Sequence, residues 1–151
     1  MGIGVTTILG IQIWNAITID KLIDNKLQKE RDAIKKEIAS YYSKSKHIAS
    51  SLSSFNLAFT FRETGQLTPA FHAYMQAIIS ANKAGAEDIC EMYAEWLVKL
   101  LAKVAKDKVP IQITPKQRLE YISALANLNS KRFLDIKNML IGNEEEFMDI
   151  S

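Results

Sequence analysis

Residues 1 to 19 are mostly apolar and β-branched and carry no charged side chain before Asp20, where a lysine-rich helical pattern begins. An apolar segment at one end of a chain needs cover from a core, a partner or a lipid surface. That need constrains the fold more than any other feature here. At 100° per residue, Ile8, Leu9, Ile13, Ala16 and Ile17 fall on one broad arc, while Thr7, Asn15 and Thr18 gather opposite. The arc continues without a phase break through Ile19, Ile23, Leu27, Ile34, Ile38 and Tyr41, with Lys, Glu and Asp filling the other face. This predicts one long helix from Val5 to Lys46. Gly10 and Asn15 weaken its first half. A strand competes over Ile11, Ile13, Ile17 and Ile19, which alternate with Gln12, Trp14, Ala16 and Thr18; its ribbon partner would be Val109, Ile111 and Ile113.

Shorter helices follow. Ser51 to Glu63 is closed by Thr64-Gly65, and the next helix runs to Asn82 from Thr68, a capping hydroxyl, and Pro69, a first-turn proline. After the Lys83-Ala84-Gly85 break, Ala86 to Lys106 carries Glu87, Asp88 and Glu91 at its start and Lys103 and Lys106 at its end, matching the helix dipole. Its Tyr93, Trp96, Leu97, Leu100, Leu101 and Val104 mark it as the central core element. Thr114, Pro115 and Gln117 read as a capping box opening a last helix to Ile141, with a break near Asn127 to Ser130 able to split it.

A 151-residue globule has a radius of gyration of about 15 Å and a diameter of about 38 Å. A helix from Val5 to Lys46 would be about 63 Å long, overhanging by about 25 Å. The expectation is therefore an all-α chain of about five helices, with a long N-terminal helix projecting from a small antiparallel helical bundle. Residues 1–46 form that helix, 47–141 the bundle, and 142–151 an acidic mobile tail bearing Glu144, Glu145, Glu146 and Asp149.

Within residues 51–82, Leu57, Ala58, Phe61, Gly65, Leu67, Ala70, Tyr74 and Ala77 have the spacing of a tetratricopeptide repeat, and the segment resembles a single such helical hairpin. It departs from the pattern at Ser54, where a large residue is expected, and at Asn82, in place of the terminal proline. No second copy follows 34 residues on. The resemblance implies a peptide- or protein-binding scaffold rather than an enzyme.

No motif points to catalysis, metal or cofactor. Cys90 excludes an internal disulfide and reads as a buried, inert thiol rather than a nucleophile paired with His72 or His47. Glu87, Glu91 and Glu95 share a helix face but lack the Glu-x-x-His of di-iron bundles and lead into Lys99, so they read as a solvated stripe. Gly2 and Gly4 lack the rest of a phosphate loop. Residues 21–48 carry eight basic and four acidic side chains, and residues 99–118 six basic groups against Asp107. Only Arg31, Arg62 and Arg118 are arginines before residue 130, too few for a nucleic-acid face.

The apolar start lacks the basic n-region of a secretory signal and is too short and polar to span comfortably, although Met1-Gly2 with Thr6 fits the minimal myristoylation pattern. The absence of glycosylation sequons and of paired cysteines points to a cytoplasmic protein, with membrane association through the N-terminus as an option. The function expected is a non-enzymatic interaction or scaffold protein. It docks through Ile8, Leu9, Ile13, Trp14 and Ile17 to a protein partner, to itself or to a membrane surface. The alternative is a membrane-active effector whose oligomerised N-terminal segments permeabilise a bilayer. No small-molecule substrate is inferred.

Overall fold

The computed structural model describes residues 2–142 and 145–150, and for residues 2–10 the backbone alone. Among the described residues the chain is all-α apart from one short strand pair. The elements are α1 (Gly2–Glu63), α2 (Leu67–Lys83), α3 (Glu87–Asp107), β1 (Ile111–Ile113), α4 (Pro115–Leu125), α5 (Lys131–Gly142) and β2 (Phe147–Asp149). It divides into two units, Met1–Tyr42 and Ser43–Ser151.

In the first unit, α1 takes the apolar start as helix, so the strand alternative for residues 11–19 is not adopted. Every described side chain from Ile11 to Tyr42 is exposed. The break expected between Lys46 and Ser51 is also absent. No glycine or proline interrupts this stretch, and the buried Ser51 hydroxyl turns back to donate to the Ile48 carbonyl at 2.8 Å. A serine bonded in this way sits inside a helix without breaking it.

The second unit is organised by three local stops. Gly65 (φ 75°) and Gly85 (φ 70°) each adopt the left-handed conformation that closes a helix. At the first, Gln66 donates to the Phe61 carbonyl at 2.8 Å and Gly65 to Arg62 at 3.1 Å. The second repeats the pattern, with Ala86 donating to Ala81 and Gly85 to Asn82. Lys108 (φ 53°) closes α3 in the same region without being glycine. α2 starts two residues before the expected proline. Its cap position is Gln66, and the Thr68 hydroxyl accepts the Gln112 amide instead of capping. Pro69 still falls in the first turn, where its missing N–H costs nothing. Thr114 and Gln117 form the reciprocal capping box as expected, with Gln117 N–H donating to Thr114 Oγ1 and Thr114 N–H to Gln117 Oε1. The chain parts at 126–130 into α4 and α5.

The core of this unit joins α2, α3 and the shorter elements through Phe71, Tyr74, Leu97, Leu100, Ile113 and Ile136. α2 buries nine residues, four of them alanine, and α3 seven, so the two helices share the centre of this core. Small residues make the approach close: Ala58, Ala70, Ala77 and Ala81 are fully buried, whereas Leu57 is half exposed. Phe55 stacks on Tyr93 with ring centroids 4.6 Å apart and meets Tyr74 edge-on.

The expectation of a mobile acidic tail is corrected over residues 147–150, while residues 143, 144 and 151 lie outside the described residues. β2 pairs parallel with β1, placing Phe147 beside Ile111 and Asp149 beside Ile113. Phe147 is only 2% exposed and lies edge-on to Phe71. An aromatic anchor among acids explains the order: the apolar gain of burying Phe147 offsets fixing a few residues of backbone.

Candidate docking surface

The described part of the predicted surface is exposed. Ile13 is 59%, Trp14 73% and Ile17 48% accessible, and Ile8 and Leu9 lie in α1 with side chains outside the described residues. Leu27, Ile34 and Ile38 are about half exposed as well. Helical spacing explains why these residues share a face. From Ile13, steps of four and three residues lead to Ile17, Asp20, Asp24, Leu27, Arg31, Ile34 and Ile38. At 100° per residue all eight fall within an arc of about 100°. Thr18 and Gln28 spend their side-chain hydrogen bonds locally, on the Trp14 carbonyl at 2.8 Å and on Asp32 at 3.4 Å.

Three members of this face are charged, whereas apolar periodicity alone predicts charges on the opposite side. Among the described residues, Asp20, Asp24 and Arg31 have no ion-pair partner. The signal that finds them is the seven-residue repeat, which runs Ile13, Asp20, Leu27, Ile34 in one row and Ile17, Asp24, Arg31, Ile38 in the other.

Side chains with catalytic potential in the second unit are occupied otherwise. His72 Nε2 lies 3.0 Å from the Gln112 carbonyl and Nδ1 2.9 Å from the Tyr121 hydroxyl. With Nε2–H donating to the carbonyl, Nδ1 accepts the phenol proton, and the ring ties α2 to β1 and α4. Cys90 is buried and directs its thiol at the Ile78 carbonyl, 3.7 Å away. Burial first, then the Glu87 and Glu91 carboxylates, pushes that thiol up to about 11, which keeps it protonated and unreactive at neutral pH.

The glutamate stripe is dispersed among partners. Glu95 pairs with Lys99 at 2.8 Å, whose hydrogen bond and charge hold the carboxyl below its ordinary range, and Glu91 meets Arg132 at 3.3 Å. Glu87 lines a shallow cleft of about 340 Å³ with Asn82, Asp88, Asn127 and Ser130. Among the described residues no group of three or more His, Cys, Asp or Glu side chains is placed to hold a metal. Trp96 packs in the core margin, with Arg62 4.7 Å and Lys99 4.6 Å from its ring centroid.

Among the described residues, no helix is long and apolar enough to cross a membrane. No protein-family model, curated protein or solved structure matches the chain.

Proposed function

We propose that this chain is a non-enzymatic interaction protein in which residues 11–42 form a docking helix for another protein helix and residues 43–151 form the folded scaffold that carries it. The observation behind this reading is the exposed face bearing Ile13, Ile17, Leu27, Ile34 and Ile38 at seven-residue spacing. Fully burying an aliphatic side chain of this size is worth about 1.5–3 kcal/mol, so such a face gains strongly from a partner. The charges on it favour protein over lipid. A bilayer interior offers Asp20 and Asp24 no counter-charge, whereas a second helix can supply one. We read the hairpin at residues 51–82, with its tetratricopeptide-like spacing, as part of the same scaffold.

Photo-crosslinking in living cells tests this. A benzoylphenylalanine at position 17 or 34 should yield protein adducts, while the same group at Lys29 or Lys36, on the opposite face, should not. Equal yields from both faces overturn the reading. So does flotation of the full chain with anionic vesicles accompanied by dye release, which is the outcome that a permeabilising effector requires.

A further inference from the structure

We infer that the partner of this face is a second copy of the chain, paired antiparallel over residues 13–38 in one defined register. The inference rests on the docking reading above and adds the occupant and its orientation. Facing positions of a two-stranded coiled coil are set by the seven-residue repeat. In a parallel pair each residue meets its own copy, so Asp20, Asp24 and Arg31 would create three like-charge layers. Turned antiparallel, the rows can be set so that Ile13 faces the partner's Ile38 and Ile17 faces the partner's Ile34. The same register places Asp20 against the partner's Arg31 and Asp24 against the partner's Leu27. Each contact occurs twice by symmetry, giving apolar ends around a centre with two Asp–Arg pairs.

This register is selected by charge. Sliding the partner by one heptad in one direction puts Asp20 against the partner's Asp24. Sliding it in the other sets Asp20, Asp24 and Arg31 each against an apolar side chain, where a desolvated charge is left uncompensated. The flanking positions agree, because Lys21 then faces the partner's Gln28, Trp14 the partner's Lys35 and Ile23 the partner's Glu30, with no like charges opposed. All of these residues are exposed in the single chain. The paired stretch is about 39 Å long at 1.5 Å per residue. Asp24 against Leu27 is its weak layer.

Sedimentation equilibrium of the full chain and four variants tests the register. Asp20→Arg and Arg31→Asp should each weaken the dimer about tenfold or more, and combining them should restore it. Asp24→Leu should tighten it about tenfold, since it removes a charge from a buried layer. Singles without effect indicate parallel pairing, which merely exchanges one like-charge layer for another, and overturn the inference. A chain that stays monomeric even as Asp24→Leu overturns it too. Face-specific crosslinks to a different protein would then leave the docking reading standing, so the two failures are distinguishable.

Discussion

Arg118 holds Asp149 through two nitrogens on one carboxylate oxygen, Nη2 at 2.7 Å and Nε at 3.1 Å, and so ties α4 to β2. The same guanidinium donates through Nη1 to the Leu140 carbonyl at 2.6 Å, in the last turn of α5, and lies 5.7 Å from the Phe147 ring centroid. One side chain therefore serves three elements.

The two ends of this contact should differ in weight. Asp149 is more than half exposed, so Asp149→Ala is expected to cost less than about 1 kcal/mol. Arg118→Ala also strips a helix-end carbonyl of its donor and uncovers an aromatic ring, and should cost about 1–3 kcal/mol. Urea unfolding of the two variants measures the difference. Equal losses would mean that the ion pair carries the whole contact.

Phe147→Ala should cost about 3–5 kcal/mol, the range for emptying a buried aromatic site. It should also release the strand, raising amide exchange at Ile111 and Ile150, whose N–H groups donate to Glu146 and Ile113. A loss below about 1 kcal/mol would show that β2 docks without its anchor.

What was legible in the sequence was local. Gly65, Gly85 and the Thr114–Gln117 box each act through bonds within a few residues, and each sits where its spacing places it. The β1–β2 pairing was not legible, because two three-residue strands separated by α4 and α5 carry little pattern and Phe147 is hidden among acids. Thr68 misled for a related reason: its hydroxyl found a long-range partner in Gln112 and left the cap. On α1 the apolar spacing is plain, but amphipathic periodicity alone predicts charges on the opposite side and does not place Asp20, Asp24 and Arg31 on the apolar face. The seven-residue rows reveal them only when the face is followed residue by residue.

Two buried tyrosines should respond in opposite ways to loss of their hydroxyl. Tyr121 is bonded to His72, so Tyr121→Phe leaves Nδ1 without its donor and should cost about 1–2 kcal/mol. Among the described residues the Tyr74 hydroxyl has no hydrogen-bond partner, and Tyr74→Phe should be neutral or stabilising by up to about 1 kcal/mol. Thermal melts of the pair decide it, and a destabilised Tyr74→Phe would reveal a partner for that oxygen.

Cys90 should set the alkaline limit of stability. Its folded value is raised from 9.0 to about 11, so below pH 9 the thiol is protonated in both folded and unfolded chains and its contribution is fully present. Between pH 9 and about 11 the unfolded thiol ionises while the buried one does not, protons are lost on unfolding, and stability declines. Tyr74 and Tyr121, also raised by burial, add to the fall above pH 10. Cys90→Ala should be less stable at pH 7 through its lost volume, yet lose less between pH 9 and 10 than the parent chain does. Urea midpoints across that interval measure the slope. Parallel slopes for the two proteins would show that the Cys90 thiol is solvated and that its burial does not govern its ionisation.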